Sequence, residues 1–132
     1  MKHLHYFLFL GIFCLTSCYK EEHEIVKALS GKYTCQTWNY SLANNSQVAD
    51  TTIVVIDIMD IPLYPRKFRT VVQGDKIVCS LNFDNLHFDY EKENGLKMHG
   101  SFIQPDSISF STTYGDCSGC GISGRWYSGV KM

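Results

Sequence analysis

The stretch KIVCSLNF, Lys76 to Phe83, decides how this chain folds. Ile77, Cys79, Leu81 and Phe83 take one face and Lys76, Ser80 and Asn82 the other, the period of two that marks a half-buried strand. Just before it, Phe68, Thr70 and Val72 alternate with Arg69 and Gln73, and Gly74-Asp75 lies between the two runs. Glycine in the first place suits a two-residue type II′ turn, which predicts a hairpin pairing Val72 with Ile77, Thr70 with Cys79 and Phe68 with Leu81.

The same alternation continues outward. Leu86, Phe88 and Tyr90 alternate with His87, Asp89 and Glu91, and Leu96, Met98 and Phe102 with Lys97, His99 and Ser101. A two-residue Asn94-Gly95 turn would set Tyr90 against His99 and mix the faces. A three-residue Glu93-Asn94-Gly95 loop, with Gly95 at positive φ, keeps them apart and pairs Tyr90 with Met98 and Leu86 with Phe102. Beyond Gln104-Pro105-Asp106, Ile108, Phe110, Thr112 and Tyr114 form a further inward row, and Ile122, Trp126 and Val130 extend it after a glycine-rich loop. Toward the start, KYTCQTWNY (32–40) and TIVVIDIM (52–59) supply two more strands around the polar loop Ser41 to Asp50. About eight strands in meander order, with turn signals at roughly ten-residue spacing and no helix between them, predict an all-β antiparallel fold, an up-and-down barrel or a strongly curled sheet, of which the closed barrel leaves no exposed sheet edge. Ahead of the strands, EEHEIVKALS (21–30) has its apolar residues Ile25, Val26 and Leu29 at helical spacing, with Gly31 just past the end. A short helix there would plug one end.

The first seventeen residues have a different character. Lys2 is followed by a mostly apolar run, LHYFLFLGIFCL (4–15), too short for a helix that spans a bilayer, which needs roughly 20 such residues. It reads as the hydrophobic region of a secretory signal. Leu15-Thr16-Ser17-Cys18 then resembles the lipobox of bacterial lipoproteins, which implies cleavage before Cys18 and a diacylglycerol on its thiol. Several acyl chains, each methylene contributing about 0.8 kcal/mol, would hold the protein firmly to a membrane. Tyr19-Lys20-Glu21-Glu22 resembles the short acidic export tag of lipoproteins from gliding and gut bacteria, which implies the outer membrane and its outer surface.

The expected organisation is a signal peptide over 1–17, a lipidated tether and short helix over 18–30, and a barrel over 31–132. The 115 residues that remain after cleavage suffice for one domain with a real core. They carry 11 Lys and Arg against 13 Asp and Glu, a net charge of −2, with no basic cluster beyond Arg66, Lys67 and Arg69, so nucleic acid is not an expected partner. A monomer is expected.

The lipobox and tether, the helix ending in LSGKY (29–33), the strand start PDSI (105–108) and the closing YSGVK (127–131) together look like the small lipocalin-like lipoproteins of gut-type bacteria. Gly31-Lys32-Tyr33 stands where lipocalins carry Gly-x-Trp. The resemblance covers most of the mature chain and implies a lipocalin-like barrel; it implies no particular activity.

Four candidate chemistries remain. Cys117 and Cys120 have C-x-x-C spacing, and with Cys35 and Cys79 they make four thiols in an exported chain. Structural disulfides are the first expectation, for instance Cys117 with Cys120 and Cys35 with Cys79; a four-thiol metal site and thiol redox chemistry are the alternatives. His87, Asp89 and His99 share the outer face of one hairpin, a weak candidate for zinc or copper against ordinary solvated cross-strand pairs. No Gly-x-Ser-x-Gly elbow and no inward pair of carboxylates occurs, so no catalytic residue and no cofactor is expected. Aromatic residues make up 14% of the chain. Phe68, Phe83, Phe88, Tyr90, Phe102, Phe110, Tyr114 and Trp126 are expected to face inward, either lining an apolar pocket or filling it. The leading expectation is a non-enzymatic envelope lipoprotein binding a small apolar or amphipathic ligand inside the barrel. The alternative is a solid barrel whose loops bind a protein or glycan.

Overall fold

The computed structural model describes residues 18–41, 52–92, 95–104, 106–114 and 123–132. A helix, α1, covers residues 18–29. Eight strands follow: β1 Gly31–Ser41, β2 Thr52–Asp60, β3 Lys67–Val72, β4 Asp75–Asn82, β5 His87–Glu91, β6 Leu96–Gln104, β7 Ser107–Tyr114 and β8 Ser123–Lys131. Each is antiparallel to the next, and β8 returns to β1 through nine register pairs from Tyr33–Lys131 to Ser41–Ser123, so the sheet closes as the eight-stranded meander barrel read from the alternation. The up-and-down path gives the barrel two unlike ends. α1 and the β2–β3, β4–β5 and β6–β7 connections sit at one, the helix end. The connections β1–β2, β3–β4, β5–β6 and β7–β8 leave from the other, the loop end.

Helix α1 is already formed at Cys18, earlier than the apolar spacing predicts, and buries Val26 and Leu29 over the barrel. Its last carbonyls, which no further helical turn can satisfy, all find donors. The Ser30 amide reaches the Val26 and Lys27 carbonyls at 3.0 and 3.2 Å. The Lys131 ammonium donates to Ala28 at 2.8 Å, and the buried Tyr33 hydroxyl donates to Leu29 at 2.6 Å. The plug is therefore tied to the first and last strands of the barrel it closes.

The β3–β4 hairpin keeps the expected faces but not the expected register. Val72 pairs with Asp75, Thr70 with Ile77 and Phe68 with Cys79, two residues from the predicted alignment. The turn is Gln73-Gly74, with φ of 53° and 87° at the two positions. Positive φ at both central residues is the type I′ conformation, whose twist matches that of the strands, and Gly74 takes the second place without a Cβ penalty. An even shift leaves every side chain on its face. In the next hairpin Tyr90 pairs with Met98, Leu86 accepts a hydrogen bond from the Phe102 amide, and Lys92 faces Leu96 across three residues, as expected. Gly95 is not among the described residues of positive φ, and Glu93-Asn94 lies outside the described residues.

β8 reverses one expectation. Tyr127 and Gly129 face inward, while Trp126 and Val130 point outward with 50% and 60% exposure. The inward row is set by the neighbours. A Cβ on Gly129 would lie 2.3 Å from the Cys35 sulfur, so only glycine fits opposite that thiol, and Tyr127 stacks on Phe110 at 4.3 Å. Gly100 does the same on β6, where a Cβ would lie 2.3 Å from that of Phe110.

The interior is filled by a column of rings. Tyr33 meets Phe102 at 6.1 Å at the helix end; Phe102, Phe68 and Phe88 contact one another at 5.2–5.7 Å; Phe88 meets Phe110 at 6.3 Å, and Phe110 stacks on Tyr127 toward the loop end. Ile56, Ile58, Ile77, Met98 and Ile108 pack around them. The least complete wall is β2 against β3, which share two register pairs, Met59–Arg69 and Asp60–Phe68, both at the helix end.

Candidate functional site

Five places bear on function. The first is the interior. Phe68, Phe88, Phe102 and Phe110 are buried as expected, and Phe83, Tyr90 and Tyr114 are half-buried at the margins of the core. Trp126 lies outside it; its inward place belongs to Tyr127, which the apolar alternation of β8 does not reveal. A void lined by Ile56, Ile58, Phe68, Thr70, Phe88, Met98, Ile108 and Phe110 has no room for a water molecule. Among the described residues, two buried hydroxyls, those of Thr70 and Thr112, have no hydrogen-bond partner.

The thiols are the second. Cys35 on β1 and Cys79 on β4 both face inward, as the alternation predicts, but they are free and buried, so the pairing of Cys35 with Cys79 is not formed. Two strands, β2 and β3, lie between them in barrel order, which keeps their backbones from the approach within about 7 Å that a disulfide requires. Burial pushes the Cys35 thiol up to about 11 and the Cys79 thiol up to about 12. Such groups stay protonated, which suits packing and not nucleophilic or metal chemistry. Cys117 and Cys120 lie outside the described residues.

The third is the outer face of β5–β6, where the predicted cluster does form. Asp89 accepts from His99 Nδ1 at 2.5 Å and sits 3.1 Å from His87 Nε2, and His87 Nδ1 lies 3.1 Å from the Ser101 hydroxyl. The bond from His99, followed by the charge of His87, holds the Asp89 carboxyl below its ordinary range. Both imidazoles converge on one carboxylate oxygen instead of on a shared vacant point, and no group of metal-holding side chains occurs among the described residues.

The fourth is a polar layer at the loop end that the sequence does not announce. The Gln73 amide donates to the Tyr127 hydroxyl at 2.8 Å, and the Asp75 carboxylate on β4 lies close enough to the Tyr114 hydroxyl on β7 to act on it electrostatically. Arg125 donates to Asn39 at 2.6 Å. The first of these bonds joins the β3–β4 hairpin to β8 and the second joins β8 to β1, so side chains tie the barrel shut above the aromatic column. Burial raises the Tyr114 hydroxyl, with Asp75 adding to the effect. The connections 42–51 and 115–122, which hold most of the candidate loops Ser41 to Asp50 and Tyr114 to Gly121, leave from this layer and lie outside the described residues.

At the other end, Cys18 is exposed and lies within α1. It borders a groove of about 830 Å³ with Glu22, Ile25, Arg66, Leu81, Phe83 and His87. Arg66 closes a salt bridge onto Glu22, which holds that carboxyl low, and its guanidinium lies 5.7 Å from the Phe83 ring. No helix among the described residues is long and apolar enough to cross a membrane.

No family model matches the chain, and no curated protein matches it. Among solved structures it is similar to the S-type phycobiliprotein lyase CPES from Guillardia theta, at 10% identity and a TM-score of 0.47, over 83% of this chain and 91% of that one.

Proposed function

We propose that this protein is a lipid-anchored module of the bacterial cell envelope, non-enzymatic, held in the outer membrane through Cys18, that recognises a protein or glycan partner at the loop end of its barrel. The ring column carries the reading: Tyr33, Phe102, Phe68, Phe88, Phe110 and Tyr127 occupy the space a carried ligand would need. The polar layer of Gln73, Asp75, Tyr114, Arg125 and Asn39 then makes a rigid floor beneath the two long connections, the usual placing of recognition loops on a scaffold. The lipobox and the exposure of Cys18 support the anchor.

A second reading, carriage of a small amphipathic ligand, is favoured by the unpartnered Thr70 hydroxyl at the interior void and by the short β2–β3 pairing beside it. Two measurements separate the readings. The full chain expressed in a bacterial host is expected in the membrane fraction, with the Cys18→Ser variant released; a soluble parent chain would overturn the anchor. Titration with a fluorescent fatty-acid analogue is expected to show no saturable signal, and displaceable micromolar binding would replace the partner reading by the ligand one.

A further inference from the structure

Cys18 is not the end of a loose tether. It is already helical, and the next residue is tied to the barrel: the Tyr19 hydroxyl donates to the Pro62 carbonyl at 2.7 Å. Pro62 opens the β2–β3 turn, where Leu63 is 80% exposed and Tyr64 54% exposed, between Pro62 and Pro65. The turn is held in place. The Tyr64 amide bonds the Ile61 carbonyl at 2.9 Å, the Lys67 amide bonds the Tyr64 carbonyl at 3.0 Å, and the Leu81 amide bonds the Arg66 carbonyl at 2.8 Å. The Lys67 ammonium sits 5.2 Å from the Tyr64 ring. A fixed leucine and tyrosine with cations behind them have the composition of a segment that seats at a lipid interface, apolar tip inward, ring and ammonium at headgroup level.

We propose that the β2–β3 turn is a second membrane contact: Leu63 and Tyr64 insert into the interfacial layer of the bilayer that holds the acyl chains of Cys18, so the helix end lies on the membrane and the loop end faces away. This rests on the lipid anchor proposed above. With no slack between Cys18 and the barrel, the anchor brings the helix end to the surface, and Tyr19 places the turn beside the anchoring residue. On α1 the exposed acids Glu21 and Glu24 are balanced by the exposed Lys20 and Lys27, so the attraction comes from the apolar tip and does not require anionic lipid.

The test uses the full chain, lipidated in a bacterial host and reconstituted into phosphatidylcholine vesicles brominated at shallow acyl positions. Leu63→Trp is compared with Val71→Trp, an outer-face site on β3 about 13 Å of strand beyond Lys67 toward the loop end. Emission is read as the difference from the parent, which has Trp38 and Trp126. Intact mass reports the lipid on Cys18 in the same samples. The expected result is lipid present, with quenching at least twofold greater at position 63 than at position 71. Lipid present with equal quenching at the two sites would overturn the second contact and leave the anchor standing. A mass without lipid would overturn the anchor and this inference with it.

Discussion

Gly129 on β8 faces Cys35 on β1 so closely that a Cβ at position 129 would lie 2.3 Å from the thiol sulfur and 2.8 Å from the Thr34 carbonyl. Neither neighbour can give way: one is a fully buried side chain and the other is backbone in the closing strand pair. Gly129→Ala is therefore expected to lower stability by about 1–3 kcal/mol, the usual range for overpacking, read as a lower urea midpoint with an unchanged slope. Gly74→Ala would act through positive φ instead of through space, since nothing lies within 4 Å of its position.

The thiols make a second expectation. Cys35 and Cys79 are to resist iodoacetamide at pH 8 in the folded protein and react once it is unfolded, while unlipidated Cys18 reacts throughout; peptide mass spectrometry reads each site. Their folded values, about 11 and 12, lie above the ordinary thiol value of 9.0, and that of Tyr33, pushed up to about 12 chiefly by burial, lies above 10.0. For such groups the unfolded chain loses its protons first. Their contribution is whole below about pH 9 and is lost as pH rises toward 12, so melting temperature is expected to fall across that window. A flat melting profile from pH 9 to 11 would contradict the burial of these groups.

How much of this was legible in the sequence depends on which neighbours set each face. In β4 and β6 hydrophobic alternation alone chose the inward row, because Ile77, Cys79, Met98 and Phe102 all join the one buried apolar cluster. In β3–β4 the faces were legible and the register was not. The type I′ turn puts Gln73, a residue with no strong turn signature, at φ 53°. In β8 alternation misleads, because Arg125, Tyr127, Gly129 and Lys131 form the row whose partners lie elsewhere in the chain: Asn39, Phe110, Cys35 and the helix carbonyl of Ala28. An arginine inside a strand next to an inward tyrosine was the available sign of a polar barrel mouth. The bonds of Gln73 to Tyr127 and of Arg125 to Asn39 span 54 and 86 residues and exist only once the barrel closes.

On the outer face of β5–β6, Asp89→Asn is expected to change stability at pH 7 by less than about 1 kcal/mol, as exposed pairs do. The sign follows from the lowered carboxyl. Any stabilisation is present above the ordinary aspartate value of 3.8 and is lost as pH falls through the lower folded one, so parent and variant should converge near pH 2. Because His87 and His99 are both spent on one Asp89 oxygen, calorimetric titration with zinc is expected to show no stoichiometric site; a 1:1 isotherm abolished by Asp89→Asn would show that the imidazoles reorient to bind it.

The ring column can be opened to ask whether the barrel is solid in solution. Phe88 contacts Phe68, Phe102 and Phe110 at 5.2–6.3 Å and is 1% exposed, so it has rings on every side and no room for them to collapse quickly inward. Phe88→Ala is expected to cost about 3–5 kcal/mol, the range for a buried phenylalanine, and to leave a cavity beside the existing void. If the parent interior is filled, only the variant should gain heat stability from benzene, because an apolar ligand that binds only the folded state raises its melting temperature. If the parent is stabilised as much as the variant, the rings part readily for a guest, and the barrel is a carrier whose closed form is its empty state.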